Sequence, residues 1–386
     1  MEKKQQFYGL DILKFVMAVL VAARHMIQVF YAGDSRWRLL VGSWLSNLAV
    51  PVFFIIAGFL LFRKVPEPLT ARRCMRTAGG AGGRGGTDAA AGEIQSGTDA
   101  DSSAGVNDVK VLRRSGRNTV FVYCWRILKL YLLWCVLYWP IDIYNWYHGV
   151  ESVREFVIHY IRSFFFSSTI AQLWYLPALI VACLIVWTCY RCGMRIWQIL
   201  TVTGILFVMG CIGDNWYFTQ YLPQSWQQLI YAYGQHFMTM RNGVFYGSFY
   251  VCLGLLFAKK SWKLPLWMAA AGSLVFVYAA YREVRHCQNI NMVFMAAPAA
   301  CCLVETALLL RLKDRKLYPR LRAMSEWVYL SHFYFFYVFS WTAPWNPVPL
   351  TERNIALFIF VPMVLFAWCM ACLSEQERFR WIRRLI

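Results

Sequence analysis

Ten stretches of this chain are apolar, unbroken and long enough to be helices. They lie at roughly residues 10–31, 42–62, 119–143, 173–190, 196–213, 243–258, 264–281, 291–310, 326–343 and 354–373. Continuous apolar runs of this length are the pattern of bilayer-spanning helices. The alternating pattern of a membrane barrel is absent. Composition agrees. The 386 residues are 59% hydrophobic and 15% charged, where a soluble domain carries about 25% charged residues. The 18 Trp, 22 Tyr and 28 Phe suit interfacial belts and lipid contacts. The expected fold is an all-α polytopic membrane protein of about ten transmembrane helices.

The net charge of +19 raises the question of a nucleic-acid partner. Its placement answers it. With the N-terminus in the cytoplasm, the cytoplasmic segments hold 27 of the 39 Lys and Arg. The short stretches RCGMR, KKSWK and RLKDRKLYPRLR are each basic. This is the positive-inside pattern of a polytopic membrane protein, and it accounts for the charge without nucleic acid. An even number of spans places both termini in the cytoplasm. The first span is too long and too charged for a cleavable signal peptide and reads as an uncleaved helix.

Residues 66–118 differ in kind. They are rich in Gly, Ala, Ser and Asp, and we expect a disordered cytoplasmic loop that interrupts a single membrane domain covering 1–386. Two longer segments, 144–172 and 214–242, are expected outside and are dense in aromatic residues. VREFVIHYIRSFFF in the first has an amphipathic pattern. Their rings suit either sugar stacking or an interfacial belt. The 13 cysteines are scattered and read as buried thiols; the lone Cys369–Cys372 pair has no second pair at zinc spacing.

Ionisable residues inside apolar spans mark the places where chemistry or transport happens. The first span carries Lys14 and His25 with ten residues between them. Eleven helical steps bring the two onto one face, about 16 Å apart along the axis. His25 fits two roles, a general base for a hydroxyl or a hydrogen-bonded bundle residue. Lys14 is either a snorkelling cation or an anion-holding one. Arg24 lies about 100° around the helix from His25 and is expected to face elsewhere. Arg126 and Lys129 form R-x-x-K on one face of the third span, suited to phosphate oxygens or to interfacial anchoring. Arg241, Glu305 and His332 are further polar groups at membrane depth, with His332 a second acid–base candidate. No Ser/His/Asp order specifies a triad, and no His-rich cluster suggests a metal.

The segments GLDILKFVMAVLVAARH and VPVFFIIAGFLLFRK resemble the opening of the acyltransferase 3 family, bacterial integral-membrane O-acyltransferases. The family's Arg/Lys-x10-His motif falls on Lys14 and His25. Its RxxR motif falls on Arg126 and Lys129, where Lys keeps the charge and loses the guanidinium fork. QLWYLPALIV, RNGVFYGSFYVCLG and SEWVYLSHFYFF extend the resemblance to nearly the whole chain outside 66–118. The resemblance implies an acyl-CoA donor, most often acetyl-CoA, held by Arg126, Lys129 and Lys14, with no permanently bound cofactor. It implies His25 as catalytic base and a surface glycan or lipid-linked sugar as acceptor. A periplasmic or extracellular transferase partner is left open. Membrane-bound serine racemases carry a similar membrane half joined to a soluble racemase domain. This chain ends just after its tenth span, so that activity is not expected. The rival class is a polytopic transporter or a non-catalytic binding module, against which no inverted repeat or paired broken helices are visible.

Overall fold

The structure is a computed structural model. It describes residues 6–30, 44–67, 99–149, 152–237, 239–259, 264–287, 291–342 and 352–384. It is 84% helix, and no strand occurs among the described residues. Chain order gives α1 (Tyr8–Phe30), α2 (Ala49–Phe62, entered through a 3-10 turn at Leu45–Leu48), α3 (Asp99–His148), α4 (Val153–Phe166), α5 (Tyr175–Arg191) and α6 (Ile196–Gly213). It continues with α7 (Gln224–Phe237), α8 (Ser248–Lys259, entered through a π-turn at Gly243–Gly247), α9 (Leu266–Cys287), α10 (Ala296–Leu309), α11 (Leu317–Thr342) and α12 (Glu352–Glu375).

Each of the ten expected spans falls on one of these helices. Among the described residues four helical stretches are long and apolar enough to cross a membrane: Leu45–Phe62, Asn118–His148, Ile196–Gly213 and Leu357–Glu375. Three more, Tyr175–Arg191, Gly243–Lys259 and Ala296–Leu309, are apolar but shorter. A 14-residue helix such as α10 reaches only about 21 Å. α1 is long but carries Asp11, Lys14 and Arg24.

The long segments divide into a centre and a periphery. In the stretch ending α2, 78% of the apolar window is buried, against 33% in α3 and 28% in α6 and α12. The exposed residues of those outer helices are large and apolar, including Val136 and Trp139 on α3, Ile205 on α6, and Val361 and Leu365 on α12. Apolar surface of this extent is stable only against lipid or another apolar partner. α1 packs against α2, α10 and α11, and α2 packs along α8.

Two features depart from the sequence expectation. Of the 66–118 segment, residues 68–98 lie outside the described residues, but α3 begins at Asp99. Leu, Lys and Arg in the stretch VKVLRR are good helix formers. The second is that the two aromatic segments fold into helices, α4 and α7. α4 starts in a capping box, with Ser152 Oγ accepting from Glu155 N at 3.3 Å and Glu155 Oε2 accepting from Ser152 N at 3.1 Å. One face of α4 presents Val157, Ile158, Ile161 and Phe165 to the outside, as interfacial helices do.

Gly58 on α2 and Gly254 on α8 set the α2–α8 distance. A Cβ on Gly254 would meet the carbonyl of Ile55, and also Phe59 N at 2.7 Å and Gly58 Cα at 2.8 Å. These are backbone atoms that cannot move aside. Gly254→Val therefore separates α2 from α8 and destabilises the protein by about 1–3 kcal/mol or more. Gly234, on α7, has nothing within 4 Å of its Cβ position, so Gly234→Ala stabilises by about 0.5–1 kcal/mol. Thermal unfolding of detergent-solubilised protein measures both; a Gly254→Val protein as stable as the parent contradicts the close packing.

Candidate functional site

Six parts of the fold converge on one small cavity. α1 supplies Arg24 and His25, and the turn before α2 supplies Ser46 and Asn47. The segment opening α5 supplies Gln172, Trp174 and Tyr175. The approach to α8 supplies Arg241 and Tyr246, the start of the α10 segment Asn291, and α11 Tyr329. The volume is about 40 Å³, room for roughly three waters.

Local backbone geometry aims these groups. Asn242 caps the π-turn, its Oδ1 accepting from Val244 N at 2.9 Å and Phe245 N at 3.1 Å. π-turns recur at functional sites because they re-aim one side chain; here the turn carries Tyr246. Ser168, with φ of 69°, is the positive-φ non-glycine residue of the described chain. Its turn leads to Gln172, whose backbone carbonyl accepts from the Tyr329 hydroxyl.

The two imidazoles meet. His25 and His332 are stacked with centroids 5.5 Å apart and an interplanar angle of 21°. Phe333 lies 5.0 Å from each ring. His332 is fully buried, and its Nδ1 donates to the Val328 carbonyl at 3.0 Å. That bond leaves Nε2 as the acceptor of a neutral ring, and Nε2 is buried without a partner. His332 was expected as a second acid–base candidate. The fold places it behind His25 rather than in the cavity lining.

Arg24 is the clearest correction. It does not face away from His25; it lines the same cavity and is 9% exposed. Its Nη1 donates to Asn47 Oδ1, and its Nη2 to Asn291 Oδ1 at 3.5 Å. The expectation assumed that one side of α1 faces the interior. α1 packs on α2, α10 and α11, so residues about 100° apart both point inward. Arg241, singled out from its sequence position, also lines the cavity. Its Nη1 donates to Asn291 Oδ1 at 3.2 Å and its guanidinium lies 4.7 Å from the Trp174 ring centroid, a cation–π contact.

The other expected residues lie elsewhere. Lys14 is outside the cavity, within electrostatic reach of Glu326, Asp11, Arg322 and Arg126. Arg126 and Lys129 are exposed on α3, and Lys129 lies 5.3 Å from the Trp125 ring centroid. The structure thus puts Lys14 near Arg126 and leaves His25 about 16 Å further along α1. Glu305 is buried on α10 and does not line the cavity. Asn47, Gln172 and Asn291 went unremarked in the sequence. Each sits within a few residues of the start of an expected span, where an amide looks like an ordinary interfacial residue.

The Lys14 end of α1 is fixed by a two-pronged ion pair. Arg322 Nε and Nη2 donate to the two oxygens of Asp11, each at 2.7 Å. The Asp11 side chain is 4% exposed and that of Arg322 is 44% exposed. Asp11→Asn should cost about 1–3 kcal/mol, the value of a charge-assisted bond, at the low end because Arg322 is solvated. A double-mutant cycle with Arg322→Gln, read by thermal unfolding, should show the two losses to be less than additive. Additive losses contradict the pairing.

The acyltransferase 3 family model, described as an acyltransferase domain, matches residues 7–372. A serine/alanine racemase of Enterococcus gallinarum is 21% identical over 97% of this chain and 47% of its own length. Two amino-acid racemases of Enterococcus faecalis are 22% and 23% identical, over 98% and 66% of this chain and 47% and 28% of their own lengths. The chain spans about half the length of the curated relatives it matches, or less. No solved structure matches it. With the family model running from just before α1 to the last turn of α12, the chain belongs to the acyltransferase 3 family.

Proposed function

We propose that this membrane acyltransferase moves an acyl group, acetyl in the simplest case, from cytoplasmic acyl-CoA to a hydroxyl of a surface glycan or lipid-linked sugar. The observation that carries the reading is His25, stacked on His332 at the edge of a buried polar cavity in a chain of this family. An imidazole so placed takes the proton of an attacking hydroxyl and returns it to the departing thiolate.

Ten spans with both termini in the cytoplasm of a bacterial inner membrane are part of the proposal. The distribution of Lys and Arg supports it. Arg126 and Lys129, exposed on α3, then lie at the cytoplasmic end and hold CoA phosphates, Arg by its fork and Lys as a point charge. Lys14, inside α1 and close to Arg126 in electrostatic terms, draws the donor inward. The acyl group travels along α1 toward His25. Attack of the acceptor oxygen on the thioester carbonyl forms the new ester and releases CoA. The buried donors around the cavity, Arg24 and Arg241 among them, stabilise the negative charge that develops. A cavity of about 40 Å³ is too small for donor and acceptor together, so the helices open when they bind.

In purified protein with labelled acetyl-CoA, His25→Ala should lower transfer about 10²–10⁴-fold, the usual worth of a general base. Its folding, read by gel filtration, should be retained. Arg126→Gln should raise the KM for acetyl-CoA about tenfold, the equivalent of about 1.4 kcal/mol, with the acceptor KM unchanged. Full activity in His25→Ala removes the assigned role. Substrate uptake by vesicles without thioester turnover points to a transporter.

A further inference from the structure

The Lys14 end of α1 holds a carboxylate with no part in the transfer step, Glu326 of α11. Two anchors fix how α1 and α11 lie together. Asp11 pairs with Arg322 at 2.7 Å, and further on His25 stacks against His332 with centroids 5.5 Å apart. Both helices therefore run in the same direction, packed against each other. Lys14 is three residues beyond Asp11, and Glu326 four residues beyond Arg322. Steps of three and four return to the same helix face one turn on. The register thus sets Lys14 and Glu326 opposite each other across the α1–α11 interface. Of the charges that act on Lys14, Glu326 acts most strongly. Tyr123 of α3 lies within electrostatic reach of the same carboxylate.

The pair is not closed. Lys14, Glu326 and Tyr123 are each half-buried. Lys14 and Glu326 form no ion pair within 4.0 Å, and none of the three side chains has a hydrogen-bond partner among the described residues. A pair that only held two helices together would be closed, as Asp11–Arg322 is. Here an ammonium, a carboxylate and a phenol surround a gap. What fills it must offer an acceptor to Lys14 and a donor to Glu326. An ionised phosphate offers acceptors alone, and Glu326 repels it. A hydroxyl or a secondary amide offers both. Both groups occur at the start of the pantetheine arm of acyl-CoA, next to the phosphates.

We propose that Glu326 is a specificity-determining residue for the acyl donor. With Lys14 and Tyr123 it seats the first polar stretch of the pantetheine arm. Glu326 accepts the O–H or amide N–H, and Lys14 donates to the amide carbonyl. The proposal rests on the acyl-CoA reading above and divides the work at this end of α1. Arg126 and Lys129 take the phosphates, the gap takes the start of the arm, and the rest of the arm runs along α1 toward His25. Acyl donors without such an arm, acetyl phosphate among them, give Glu326 nothing to accept.

The test uses the full-length protein in detergent with three probes: CoA, pantetheine, and adenosine 3′,5′-bisphosphate, which keeps the nucleotide end without the arm. Thermal-shift titration gives affinity, and gel filtration checks folding. Glu326→Met keeps the length and removes both acceptor oxygens. It should weaken CoA and pantetheine about tenfold or more, the worth of a hydrogen bond to a charged group, and leave adenosine 3′,5′-bisphosphate no weaker. Glu326→Gln, isosteric and with one acceptor oxygen kept, should show a smaller loss for the same two probes. A carboxylate that merely offset the charge of Lys14 would make the two variants alike. Unchanged CoA affinity in both variants, an equal loss for adenosine 3′,5′-bisphosphate, or identical behaviour of Met and Gln overturns the proposal and leaves the acyl-CoA reading standing. A parent protein that binds no CoA overturns both. The predicted losses in a protein that transfers no label from acetyl-CoA support the seat and overturn the transfer reading alone.

Discussion

Hydrocarbon offers a guanidinium or an imidazole nothing to bond with, so the polar groups of α1 must be satisfied inside the protein. That constraint organises the structure. α1 carries Asp11, Lys14, Arg24 and His25, and it packs against α2, α10 and α11. Asp11 and Arg24 find hydrogen-bonding partners on neighbouring segments, and His25 a stacking one. Asp11 pairs with Arg322 of α11, Arg24 with Asn47 before α2 and Asn291 before α10, and His25 with His332 of α11. The helices around α1 are held less by apolar contact, which lipid supplies equally well, than by these bonds and by close packing of small residues.

The result is a molecule with two polar regions along one helix. One holds Lys14 with Asp11, Arg322, Glu326 and Arg126. The other holds His25, Arg24 and Arg241 around the cavity. Between them α1 buries Met17, Ala18, Val21 and Ala22. In the proposed mechanism that arrangement gives the two substrates separate entrances. The charged donor headgroup stays at the first region, and only the acyl group reaches the second. Water is kept from the thioester by the apolar stretch between them, and the reacting groups meet in a place where charge stabilisation is strong.

Much of this was legible in the sequence because membrane helices write themselves as continuous apolar runs. Every expected span coincides with a helix, and His25 and Arg241 reach the cavity as polar groups at membrane depth should. What was not legible depends on three-dimensional convergence. Arg24 was set aside by a rule about one helix face, which fails for a helix surrounded on several sides. Asn47, Gln172 and Asn291 come from three separate connections whose closeness no local pattern records. The start of α3 at Asp99 was hidden by the Gly-rich stretch before it, although VKVLRR favours helix.

The central claim is that the buried cavity beside His25 is where the acyl group is delivered. An acyl-CoA analogue with a photoreactive diazirine in its acyl chain tests it directly. After irradiation and peptide mass spectrometry, the account predicts labels on cavity residues such as Val21, Tyr175 and Tyr329, suppressed by excess acetyl-CoA. Labels confined to the exposed face of α3 around Arg126, or scattered over the lipid-facing helices, would contradict it.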